Sequence, residues 1–167
     1  MADPVRSPRY WIVVGSLDNF RRTAELGFTI QGMKSRHRKK AARMAAGDQI
    51  AYYVTGLKVF GGTATIVSPC FESHDRIWTS TDPRKAAEDY PFRVRITPGL
   101  ILPEAEFVPA AGVARELTYV AKWPEHHWTL AFQGNVHGIE EADFETIRDA
   151  IAARVPVGAG LSDGASS

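Results

Sequence analysis

Cys70 is the one cysteine in a chain of 167 residues. No disulfide can close within it, and the absence of CxxC or Cys/His spacing argues against a structural zinc site and for a reducing compartment. Long apolar runs are missing too: pieces such as Trp11 to Val14 fall far short of the roughly 18 residues of a membrane helix. The first residues, Met-Ala-Asp-Pro-Val-Arg-Ser-Pro-Arg, contain no apolar core of a signal peptide, so the cytoplasm is the expected location. Net charge is scarce, with 20 Lys plus Arg against 19 Asp plus Glu leaving +1. Taken as a total, that disfavours a nucleic-acid partner, which usually leaves an electrostatic footprint.

What is present fits a globular domain. The chain is 44% hydrophobic and 23% charged, which excludes disordered and fibrous classes. A domain of this length buries roughly 70% of its unfolded surface and needs no metal or disulfide to fold. The expected organisation is one domain over residues 9–154, with flexible segments at 1–8 and 155–167.

The charge is segregated. Residues 1–60 hold eleven Lys or Arg and four Asp or Glu, a local +7, whereas residues 61–167 hold nine and fifteen, a local −6. Most of the excess lies in one block, Lys34, Arg36, Arg38, Lys39, Lys40 and Arg43, with His37 among them and no acid. Such a block suits a phosphate backbone. It also suits a solvated helix face balanced by the acidic half, and the sequence leaves both readings open.

Arg9 to Val14 reads as a strand, followed by a helix from Leu17 to Leu26 that Ser16 caps and Gly27 stops. The basic block is expected on a helix from about Arg36 to Ala46. Gln49–Thr55 and Val59–Val67 form a hairpin across Gly56-Leu57-Lys58. Gly61-Gly62 within it marks a bulge or a close approach of backbone to a ligand. Phe71 and Ile77-Trp78 suggest a short strand, and Phe92–Thr97 alternates as a half-buried strand does. Ala110–Val120 reads as a helix, Trp128–Phe132 as a strand, and Glu140–Arg154 as an amphipathic helix with an acidic first turn. Non-local strands with short helices and no βαβ alternation indicate an α+β domain around a small barrel.

Catalytic signatures are thin. There is no GxGxxG, GxxxxGK[ST], HExxH or GxSxG, nor the cysteine pair of a zinc deaminase, and Cys70 has no visible partner. Glu125-His126-His127 does not make a metal site, because adjacent histidines project apart and no second ligand cluster follows. Neither an enzymatic activity nor a cofactor is expected.

A set of short strings in fixed order carries more information. These are Tyr10-Trp11-Ile-Val-Val-Gly-Ser16 with Asn19-Phe20, Gly47-Asp48 before Tyr52-Tyr53-Val-Thr55-Gly, Phe60-Gly-Gly, Ile77-Trp78, Tyr90-Pro91-Phe-Arg93, and Glu141-Ala-Asp143-Phe144. Together they resemble the EVE domain, a PUA-like fold related to the YTH domain, over about residues 9–153. The resemblance implies a PUA-like pseudo-β-barrel of about six strands with short helices packed outside. It also implies a pocket for a flipped, modified base in DNA or RNA, with 5-methylcytosine or 5-hydroxymethylcytosine in DNA the first expectation. Trp11, Ser16 and Asn19 would then form the floor and edge-reading groups, and Trp78 a cage wall. Tyr53 and Phe60 come from the central sheet, and Gln133 from the last barrel loop. Gln31 stands where many relatives place a tryptophan, offering an amide in place of a stacking surface. Trp11 in an apolar strand reads more often as core than as cage, and Phe60 reads equally as either. Lys34, Arg36, Arg38, Lys39, Lys40 and Arg43 would hold phosphates. The competing expectations are a small RNA-processing enzyme of the ASCH type and a small-molecule-binding module.

Overall fold

The computed structural model describes residues 6–80 and 82–155; the terminal segments expected at 1–8 and 155–167 lie mostly outside these. Eight strands form one sheet: β1 (Tyr10–Gly15), β2 (Ile30–Met33), β3 (Gln49–Val54), β4 (Val59–Ile66), β5 (Phe71–Glu72), β6 (Phe92–Ile101), β7 (Val108–Pro109) and β8 (Val136–Ile139). Six of them run in the order β2-β6-β4-β3-β1-β8, while β5 pairs with β6 and β7 with β4. Only β1 and β3 are parallel, from Tyr10 opposite Gln49 to Gly15 opposite Val54. Helices α1 (Leu17–Glu25), α2 (Arg38–Ala42), α3 (Ala110–Ala114) and α4 (Glu141–Ala152) complete an α+β half-barrel of curled, mixed sheet.

The sheet curls because single strands serve two partners. β6 pairs with β2 and β5 through Phe92–Arg95 and with β4 through Ile96–Ile101. Gly62 permits this crossing, since a Cβ there would lie 2.7 Å from the Leu100 carbonyl oxygen. The ladder shifts register beside it, so the glycine marks a bulge, and the close approach is to the neighbouring strand β6. α4 buries Phe144, Ile147 and Ile151 at helical spacing. Its Asp143 is also buried, accepting bonds from the backbone N–H groups of Thr118 and Tyr119 and from the Thr118 hydroxyl.

Four expected elements differ. Trp128–Phe132 is not a strand: it belongs to 3-10 turns spanning Glu125–Phe132 with a kink at His127, and the place beside β1 is taken by β8. Phe132 instead stacks on Tyr53, centroids 4.3 Å apart at 9°. The helix expected over Ala110–Val120 stops at Ala114, because Asp143 claims the amides that would continue it. The basic block forms a 3-10 turn, Ser35–His37, and the five-residue α2; its like charges at i,i+4 spacing oppose a longer helix. β2 was not anticipated, and Ile77-Trp78 lies in irregular backbone.

Candidate nucleic-acid interface

β1 ends at Gly15, and Ser16 caps α1 by accepting a hydrogen bond from the Asn19 N–H at 3.1 Å. This turn places Asn19 at the rim of a cleft of about 360 Å³. Across it, the Asn19 amide donates to the Thr79 carbonyl at 2.8 Å and accepts from the Thr79 N–H at 3.1 Å, which fixes the segment after Trp78. Tyr90 closes one side, its backbone at φ +52°, a conformation a bulky side chain adopts only when its surroundings impose it. Arg93 imposes it. Its buried guanidinium donates to the carbonyls of Tyr90 at 3.0 Å, Asp89 at 3.0 Å and Asp75, and lies 5.2 Å from the Trp78 ring. The opposite wall is the stacked pair Tyr53 and Phe132, with Gln133 and Gly134 following. Burial pushes the Tyr53 phenol up to about 12, so it stays neutral.

Asn135 locks the inner end. Its side chain accepts from the Lys34 N–H at 2.8 Å and donates to the Val14 carbonyl at 2.9 Å, and its own carbonyl accepts from the Val14 N–H. Lys34 thereby stands at the mouth, its ammonium 5.9 Å from the Tyr90 ring centroid. Its pKa is lowered, by burial first and then by Lys85 and Arg36. Lys58 adds a second cation to the same rim.

The fold thus brings Ser16, Asn19, Tyr53, Lys34 and Gln133 to one cleft, and Gln31 and Trp78 to a narrow void behind it. Trp11 and Phe60 are not among them. Trp11 projects to the other side of β1, where its indole N–H donates to Asp48 at 3.0 Å and its ring lines a separate groove with Lys40 and Arg43. Phe60 is fully buried against Tyr53 and Phe132. Tyr52, Tyr90 and Asn135 were not named as site residues. The double tyrosine and Tyr90-Pro91 were visible signals, whereas the Asn135 role depends on contacts with residues a hundred positions away.

The basic block divides over several faces. Lys34 meets the cleft, Arg36 lies by Gly134 and His137, Arg38 sides with Cys70 and Phe71, and Lys40 and Arg43 line the Trp11 groove. Among the described residues none of the block's six cations makes an ion pair with an acid. Among the described residues, then, the acidic half does not neutralise the block by direct pairing. A larger recess of about 670 Å³ lies elsewhere, between α3 and Trp123 and Trp128, its floor built from alanine, leucine and valine side chains. Among the described residues no three His, Cys, Asp or Glu side chains group as metal ligands, and no helix is long and apolar enough to cross a membrane.

His37, inside the basic block, has its pKa lowered to about 4, by burial first and then by Arg36 and Lys40. An unfolded histidine titrates near about 6.5, so below that pH the unfolded chain takes up more protons and stability falls as pH drops towards 4. With the half-exposed ring screened by water, the loss at pH 5 is about 1 kcal/mol. Urea unfolding at pH 7 and pH 5 measures it, and His37→Gln should flatten that part of the dependence.

No curated protein sequence matches the chain. Solved structures do. The Pho92 YTH domain in complex with m6A aligns with a TM-score of 0.62 at 14% identity, over 90% of this chain and 87% of that one. The Mmi1 YTH domain with RNA gives 0.57 at 10% identity, over 96% and 87%. Protein PSPTO5229 from Pseudomonas syringae gives 0.55 at 16% identity, over 87% and 99%. Identities this low speak for the fold alone. The sequence goes further: the family model of the EVE domain matches residues 9–150, and the chain belongs to the EVE domain family.

Proposed function

We propose that this EVE domain reads a modified nucleobase turned out of DNA or RNA into the cleft between Tyr90 and the Tyr53–Phe132 pair. 5-Methylcytosine or 5-hydroxymethylcytosine in DNA is the first candidate, and a modified RNA base the second. EVE and YTH domains are in general non-catalytic readers, and the chain is a binding protein on this reading. The observation that carries it is the composition of the cleft. Aromatic rings flank a recess of about 360 Å³ with Lys34 and Lys58 at its mouth, a volume near the low end of small-molecule sites and suited to one base. Stacking on such rings contributes about 1–3 kcal/mol per base, comparable with the cost of unstacking it. Lys34 and Lys58 at the mouth, with Arg36 near Gly134, supply the phosphate attraction that the neutral total charge conceals. The YTH structures with m6A and with RNA support the reading by showing that this architecture accommodates nucleic acid in those proteins.

Titration of DNA and RNA oligonucleotides, modified and unmodified, at two salt concentrations tests the proposal. Tighter binding of a modified strand is expected; equal affinity for all would overturn it. Lys34→Gln should weaken every oligonucleotide alike and lower the salt slope by about 1. An unchanged slope would remove Lys34 from the phosphate contacts.

A further inference from the structure

The β3–β4 hairpin turns at the lip of the cleft. Thr55, Gly56 and Lys58 line the cleft, and Leu57 stands among them without lining it, at 52% the most exposed large apolar side chain among the described residues. An exposed leucine by itself needs no explanation; the way this one is held sets it apart. The Thr55 N–H donates to the Gly15 carbonyl at 2.9 Å, tying the turn to the end of β1, and the Lys58 N–H donates to the Val54 carbonyl at 3.0 Å, closing it. On the far side the Lys58 carbonyl accepts from the N–H of Ala110, the first residue of α3, at 2.9 Å. Lys58 itself takes φ +57°, a conformation that a non-glycine residue keeps only when its surroundings impose it. A Cβ on Gly56 would meet no atom within 4 Å. The tip is therefore firmly mounted yet bare on its outer side.

Turning a base out of a duplex leaves a gap in the stack, and the unstacking is unfavourable unless another flat or apolar group takes the place. Proteins that open a base step do so with side chains such as Leu, Ile, Phe or Met. Leu57 has that chemistry and stands beside the space into which the base would turn. Lys58, next to it, makes no ion pair among the described residues, and so offers a cation to the phosphate flanking the gap. A second stretch of the rim is apolar as well, since Leu130, 39% exposed, follows the cleft-lining Thr129. A single strand has no paired stack to fill.

Resting on the base-reading function proposed above, we infer that the partner is double-stranded DNA, and that Leu57 enters its stack at the step the base has left, with Lys58 on the adjacent phosphate. The hairpin tip then sets the preference for duplex over single strand, while the cleft reads the base.

Fluorescence anisotropy tests this on the full chain, with cytosine, 5-methylcytosine or 5-hydroxymethylcytosine placed in a DNA duplex, in the same strand unpaired, and in the same sequences made of RNA. The modified DNA duplex should bind most tightly. Leu57→Ser should weaken that duplex about tenfold, the loss of one buried leucine, and leave the single strand within about twofold. Leu57→Phe, which restores apolar bulk, should bind the duplex nearly as the full chain does. Val67→Ser is the control: Val67 is 48% exposed beyond the opposite end of β4, and its replacement should change neither affinity. Neither Leu57 variant should lower Tm, because the side chain is exposed.

Equal weakening of duplex and single strand by Leu57→Ser, no weakening of either, or loss with Leu57→Phe as well overturns the insertion. So does a full chain that holds the single strand, or RNA, as tightly as the DNA duplex. In each of these cases a preference for the modified over the unmodified base leaves the reader function standing. If modified and unmodified oligonucleotides of every kind bind alike, the reader function fails and the insertion falls with it.

Discussion

Replacing Asp48 by alanine is expected to destabilise the protein by about 3–5 kcal/mol, lowering Tm by roughly 10 °C in a domain of this size. Asp48 is fully buried, and its carboxylate collects four donors. One oxygen accepts from the Arg9 N–H and the Arg6 guanidinium, both at 2.9 Å; the other accepts from the Trp11 indole at 3.0 Å and the Ala45 N–H at 3.2 Å. Alanine would leave the indole and two backbone N–H groups without an acceptor, and water cannot reach the buried ones freely. The consequence reaches the cleft, because these bonds fix where β1 starts against β3, and β1 carries Val14 and Gly15 to the rim. Asp48→Asn retains one acceptor and should lose about half as much. Urea unfolding of both variants measures the difference; a loss under about 1 kcal/mol for alanine would show that the four bonds are replaced by solvent.

Gly32→Ala is expected to cost about 3 kcal/mol, at the upper end for an added methyl group, and to abolish discrimination between modified and unmodified strands. A Cβ at this position would lie 2.5 and 2.8 Å from two Trp78 ring carbons and 2.7 Å from the Tyr90 carbonyl oxygen. Neither neighbour can give way cheaply. Trp78 is 1% exposed, tied through its indole to Thr23 and covered by Arg93. Tyr90 is held by the Arg93 bond to the same carbonyl. The strain would therefore pass to the walls of the cleft and of the void behind it. Phosphate-driven binding should survive, because the cations stand on other elements; a calorimetric titration at low salt separates the two effects. Unaltered discrimination would mean that Trp78 and Tyr90 do not shape the base site.

How much of this was legible in advance depended on the range of the interactions. Ser16 as a cap, the β3–β4 hairpin and the apolar face of α4 follow from local rules of spacing and turn chemistry, and all three are present. Trp128–Phe132 has the composition of a strand but folds as 3-10 turns, because its Phe132 is held by Tyr53 from another strand. Trp11 illustrates the same limit for the site. An aromatic in an alternating strand faces one side or the other, and only the partner of its indole, Asp48, shows which.

By itself, the sequence determined the family, the α+β class and the segregation of charge, because ordered motifs and local propensities are written in neighbouring residues. Tertiary structure decided the rest: that the basic block spreads over several faces and, among the described residues, forms no ion pair with an acid, and that Trp11 and Phe60 stand away from the cleft. Each depends on contacts between distant segments, which no local pattern encodes. The scarcity of net charge thus conceals a basic block whose cations, among the described residues, pair with no acid, while arginines elsewhere do.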